Sequence, residues 1–177
     1  LGGLGVQQRC AGELDIVVAV PQTYEAPPHV GLSRETVVST WGQVYTDGNG
    51  ETQSILDLAG HSVAVVRDEP YNEALRNIVR RFNMDCIFVE VKTSSAVFEA
   101  IDRGWVDAGV VDRLYGIVNE PKYDVQRSPV LFSPLALRYA ASGPQRQEVL
   151  ATLDYHIERL REDPHSLYHR LVAQAVG

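Results

Sequence analysis

Apolar positions along the chain fall into two kinds of block. The first kind is a short, nearly unbroken run: Ile16–Val20, Ser62–Val66, Cys86–Val91 and Val106–Val111. Such runs predict strands, and runs without polar alternation suit parallel strands covered on both faces. The second kind repeats at helical spacing. Ala74, Leu75, Ile78, Val79 and Phe82 form one stripe, Val97, Phe98 and Ile101 another, and Val149, Leu150, Leu153, Ile157 and Leu160 a third. Asp68-Glu69-Pro70 opens the first helix, with acids at its positive end and proline near its first turn. Thr93 or Ser94 caps the second, and Gly104 ends it in the left-handed position that suits glycine. Residues 62–111 therefore read strand–helix–strand–helix–strand, a parallel unit with right-handed crossovers.

The flanks differ. Val37–Thr46 predicts a strand running into a turn at Asp47-Gly48-Asn49-Gly50. Leu131–Ala141 is extended and broken by Pro134, and Asp163-Pro164 ends the third helix and starts another carrying Leu167, Leu171 and Val172. A pattern recurs: Gly12-Glu13-Leu14-Asp15 leads into Ile16–Val20, and Gly104-Trp105-Val106-Asp107 leads into Ala108–Val111. Two copies of one helix-end-to-strand unit predict two α/β lobes. The first would comprise residues 1–46 and 128–177, the second 47–127. Two crossings between lobes imply a hinge and a cleft.

Composition narrows the classes. The 177 residues are 45% hydrophobic and 22% charged, enough for a core and too apolar for disorder. The net charge is −7 with no basic run, which argues against nucleic acid as a partner. No apolar run approaches the ~20 residues of a membrane helix, and Leu1–Gly12 lacks the basic start and apolar stretch of a signal peptide. The two cysteines, Cys10 and Cys86, show no metal or redox spacing and read as thiols rather than a disulfide. His165 and His169 are four apart on a helix, but no third ligand accompanies them, so no metal is expected. Gly2-Gly3-Leu4-Gly5 follows no strand and is no phosphate loop, and neither a nucleophile elbow nor a zinc-protease motif occurs. No cofactor is expected.

Several segments carry a resemblance. Ser54–Val65, with Asp57-Leu58-Ala59-Gly60-His61 at its centre, resembles the opening of the second lobe of type II periplasmic solute-binding proteins. Ala100–Asp112 resembles that family's Gly-x-x-Asp-Ala-x-x-x-Asp strand segment, and Gly12–Val20 with Leu32–Thr36 resembles part of its first lobe. Arg34–Tyr45, Val111–Gly116 and Asp163–Tyr168 are similar to extracytoplasmic sensor domains of bacterial membrane-bound histidine kinases. The resemblance implies an α/β fold of two lobes with parallel-rich sheets, the first lacking its usual opening elements. It implies a non-catalytic, small-molecule-sensing domain outside the bacterial inner membrane, tethered to that membrane in its parent protein. A half-built first lobe would expose apolar surface and favour a homodimer. The same fold also serves freestanding solute-binding proteins of uptake systems and cyclic-acid dehydratases.

Two departures bear on the ligand. Amino-acid-binding members grip the carboxylate with an arginine after a Thr-x-Glu stretch, whereas here Thr23-Tyr24-Glu25 is followed by Ala26-Pro27-Pro28. They also offer Gly-Ser or Gly-Thr at a helix start, where this chain has Asp68-Glu69. The family's amine-binding acid is matched by Asp112. The resemblance thus points to a cationic or neutral ligand rather than an α-amino acid. Asp112, Asp68, Glu69, Tyr71, Tyr24, Trp41 and Arg113 are the candidate ligand contacts. Each has a structural alternative: an Arg113 ion pair or a loop cap for Asp112, helix-dipole placement for Asp68 and Glu69, core packing for the aromatics, and solvation for Arg113.

Overall fold

The computed structural model describes residues 15–22, 25–48 and 52–170. The chain divides into two compact units, residues 1–40 with 135–177, and residues 41–134.

The second unit is built on the predicted parallel core. Strand β4 (Ser62–Val66) pairs in parallel with β5 (Ile87–Val91) on one side and with β6 (Ala108–Asp112) on the other. Helix α1 (Pro70–Arg81) joins β4 to β5, and α2 (Ser94–Asp102) joins β5 back to β6 across β4. Crossovers of one hand stepping in opposite directions place the two helices on opposite faces. Thr93 caps α2 by accepting from the Ala96 amide, and Gly104 takes the left-handed turn after it, φ +65°. Strand β3 (Val38–Thr46) enters this unit antiparallel to β6, and β7 (Gln126–Ser142) lies beyond β3. The resulting order is β7-β3-β6-β4-β5, with parallel pairing within β6-β4-β5 and antiparallel pairing of β3 with β6.

The α2 face is the denser. Phe98, fully buried, meets Tyr45 edge-on at 4.8 Å and also packs on Tyr115 and Tyr123. A Cβ on Gly109 of β6 would collide with Val97 and stand 3.0 Å from Ile101, so glycine is what lets α2 lie this close. On the other face, α1 buries Tyr71, Asn72, Leu75 and Val79. Phe82 does not join that stripe. It is the residue after the helix and stands 57% exposed.

In the first unit β7 carries a strand on each side. Strand β1 (Ile16–Pro21) and the short β2 (Val30–Leu32) both run antiparallel to it, sharing Ala140 and Ala141 as partners. This corrects the expectation that Ile16–Val20 is a covered parallel strand. The chain reverses before β7, and although Ile16 and Val18 are exposed, a register shift between Val17 and Val20 turns Val20 into the core with Val30 and Ala140. Pro134 does not break β7 either: Ser133 before it takes φ +51° and the strand continues to Ser142. Helix α4 (Arg146–Glu162) packs on β2, with Leu150 Cδ1 where a Gly31 side chain would be. Gly12–Leu14, Cys10, Leu171 and Val172 lie outside the described residues.

Candidate functional site

Parallel strands leave their loops at their carboxyl ends, which is where open α/β sheets take ligands. In the second unit β4 and β6 end there. After β4 the chain runs through Arg67, Asp68 and Glu69 into α1, and β6 ends at Asp112, which opens the helix α3 (Arg113–Asn119).

Asp112 is the centre of this edge. Its Oδ1 accepts from the amides of Leu114 at 2.9 Å and Tyr115 at 3.3 Å, so it caps α3. Its Oδ2 accepts from the Tyr71 hydroxyl at 2.9 Å. Tyr71 is the second residue of α1 and is buried. Its ring meets Phe132 edge-on, centroids 6.3 Å apart at 80°. Beneath both rings lies Gly42, the β3 partner of Asp112, whose Cβ would stand 2.9 Å from Tyr71 Cδ1 and from Phe132 Cζ.

Glu69 precedes α1 without making a side-chain cap bond. Its carboxyl is pushed above the usual range, mainly by burial and further by the negative charge of Asp112. The two acids therefore share one partly desolvated neighbourhood. Asp68 beside it is exposed and sits in the left-handed region, φ +60°, which Asp tolerates better than most residues. Arg113 is half-buried at the first position of α3.

The structure thus brings Glu69, Tyr71 and Asp112 together. Trp41 precedes Gly42 in β3, so its side chain stands on the opposite face of the pleat from Tyr71. Tyr24 lies outside the described residues. Gly42 and Phe132, which seat Tyr71, escaped sequence reasoning. A glycine inside a strand is a signal of close approach, and Gly42 carried it. The other candidate cluster, His165 and His169, is engaged locally. His169 Nε2 donates to the Arg161 carbonyl at 2.8 Å, and no group of three metal-ligating side chains occurs among the described residues.

No family model matches the chain, and neither does any curated protein. Solved structures do. An arginine transport-system periplasmic binding protein from Legionella pneumophila superposes with a TM-score of 0.65 at 17% identity, over 91% of this chain and 72% of that one. A histidine kinase sensor domain with similarity to periplasmic binding proteins gives 0.64 at 18%, over 92% and 70%. The GluR0 ligand-binding core in complex with L-glutamate gives 0.64 at 19%, over 91% and 70%. The chain spans less than two thirds of some matched structures: 64% and 65% of an ancestral arginine-binding protein, solved with glutamine and with arginine. The chain has the α/β fold of type II periplasmic binding proteins, as the resemblance implied. Among the described residues, no helix is long and apolar enough to cross a membrane.

Proposed function

We propose that this chain is an extracytoplasmic small-molecule-sensing domain of a bacterial signal-transduction receptor, itself non-catalytic and tethered to the membrane through its parent protein. The fold supports a ligand-binding role, and the match to a histidine kinase sensor domain supports the signalling one. The observation that carries the ligand class is the pairing of Glu69 and Asp112 at the carboxyl ends of β4 and β6, where burial and mutual charge already lift Glu69. Such an edge attracts a cation or a neutral hydrogen-bond donor and repels a carboxylate. A ligand would change signalling only through unequal affinity for two conformations of the domain.

A second reading, a freestanding solute-binding protein of an uptake system, draws on the equally good match to the Legionella transport protein. Both readings predict the same ligand chemistry. Thermal melting of the purified chain with millimolar agmatine, putrescine or L-glutamate tests it. Agmatine or putrescine should raise the melting temperature and L-glutamate should not. A rise with L-glutamate alone, or with none of the three, overturns the proposal.

A further inference from the structure

Strand β5 is the last in its sheet and, among the described residues, pairs on one side only. The Ile87 amide donates to the His61 carbonyl at 3.0 Å, and the Val91 carbonyl accepts from the Arg67 amide at 2.9 Å. Ile87, Val89 and Val91 are therefore bonded toward β4, and alternation turns the N–H and C=O groups of Phe88 and Glu90 to the open edge. The two faces of this edge differ. Val89 and Val91 pair with Ala64 and Val66, so they stand with Ile87 on the α2 face. There Ile87 is 65% exposed and Val89 37%. On the α1 face the Arg76 guanidinium lies 4.3 Å over the Phe88 ring and donates to Glu90 Oε1 at 2.9 Å, while Glu90 Oε2 accepts from Arg67.

We propose that β5 is a dimerisation edge: β5 of a second copy of this chain pairs with it antiparallel, across a two-fold axis at Val89. A two-fold normal to the sheet keeps every residue on its own face, so opposed residues are both odd-numbered or both even-numbered. Centred on Val89, the register sets Val89 against the partner's Val89 and Ile87 against the partner's Val91. That covers the exposed apolar pair. On the other face Phe88 meets the partner's Glu90, so each carboxylate comes under the guanidinium already stacked on the opposing ring. This charge complementarity is what selects a second copy as the occupant. The neighbouring registers lose it: centring on Glu90 opposes two carboxylates, and centring on Phe88 opposes two arginine-covered rings. In the Val89 register Phe88 and Glu90 form hydrogen-bonded pairs across the axis. The two Val89 residues form a non-hydrogen-bonded pair, Cα atoms about 4.5 Å apart.

Sedimentation equilibrium of the unmutated chain up to millimolar concentration, with Val89→Lys beside it, tests this. A five-residue strand buries less than the ~1,600 Å² of a standard interface, so the dimer should be weak. Val89→Lys sets two ammonium groups against each other on the axis and should raise the dissociation constant about tenfold or more. A chain that stays monomeric at millimolar concentration, or a dimer that Val89→Lys leaves unchanged, overturns the inference. Val89→Cys reads the register directly. The Cα spacing falls within the ~4.4–6.8 Å that a disulfide spans, so glutathione disulfide should link two copies through the introduced thiols, mapped to position 89 by mass spectrometry. Failure to form that link overturns the inference. Hydrogen exchange needs no variant: the Phe88 and Glu90 amides should slow as concentration rises, while those of Ile87 and Val89, already bonded to β4, should not change. Phe88 and Glu90 rates independent of concentration overturn it as well.

Discussion

Gly116 of α3 lies directly against the ring of Tyr45: a Cβ there would overlap the phenol oxygen and stand 2.8 Å from Cε2 and Cζ. Tyr45 is fully buried and wedged edge-on against Phe98, so it cannot retreat. Alanine in a helix is ordinarily better than glycine by about 1 kcal/mol. Here overpacking, at about 1–3 kcal/mol, outweighs that gain. Gly116→Ala should therefore lower the urea midpoint, and a raised midpoint would show that α3 can shift off Tyr45.

Ser62 and Asp107 tie the starting ends of β4 and β6 together. The Asp107 carboxylate accepts from the Ser62 hydroxyl at 2.6 Å and amide at 2.7 Å, and these bonds hold its pKa below the usual value. A lowered folded pKa adds stability above the unfolded value, near 3.8 here, and loses it as pH falls through the folded one. Asp107→Asn should thus melt earlier than the unmutated chain at pH 7, and the gap should close on acidification below pH 3.8. A gap that persists in strong acid would assign the effect to packing.

Asp154 is a buried carboxylate on the apolar face of α4. It accepts from the amides of Arg34 at 3.1 Å and Glu35 at 2.9 Å. Removing it strands two donors, a cost of about 1–3 kcal/mol. Asp154→Ala should destabilise by that amount and speed hydrogen exchange at the Arg34 and Glu35 amides. Unchanged exchange at those two amides would refute this assignment.

These contacts mark how far the sequence could be read. The parallel core was legible because Val63–Val66 and Ala108–Val111 are unbroken apolar runs punctuated by Pro70, Thr93 and Gly104, each with one local conformational reason to be there. Strand direction in the first unit was not legible. Ile16–Val20 has the same composition whether its partner runs parallel or antiparallel, and only the long-range return of β7 decides. Asp154 sits at helical spacing between Leu150 and Ile157, and its burial depends on amides 119 and 120 residues away. At the candidate site, Asp112 and Glu69 stood out by type and position, whereas the seat of Tyr71 needs Gly42 and Phe132 brought in from β3 and β7.

Glu69 gives a pH signature of the acidic edge. Its pKa is raised by burial first and by Asp112 after it. A raised folded pKa favours the fold below the unfolded value of about 4.5 and costs stability as pH rises through the folded one. Glu69→Gln keeps the shape, and no side-chain cap bond is lost. Its melting temperature should match that of the unmutated chain at pH 3.5 and exceed it at pH 7.5. A variant less stable at pH 7.5 would mean that the Glu69 charge is compensated rather than strained.

The acidic character of this carboxyl edge is tested most directly by a crystal structure of the chain soaked with equimolar agmatine and L-arginine, two cations that differ by one carboxylate. The account predicts agmatine at the ends of β4 and β6, its nitrogen within hydrogen-bond distance of Glu69 or Asp112. L-Arginine bound there instead, with its carboxylate held by Arg113, would contradict it.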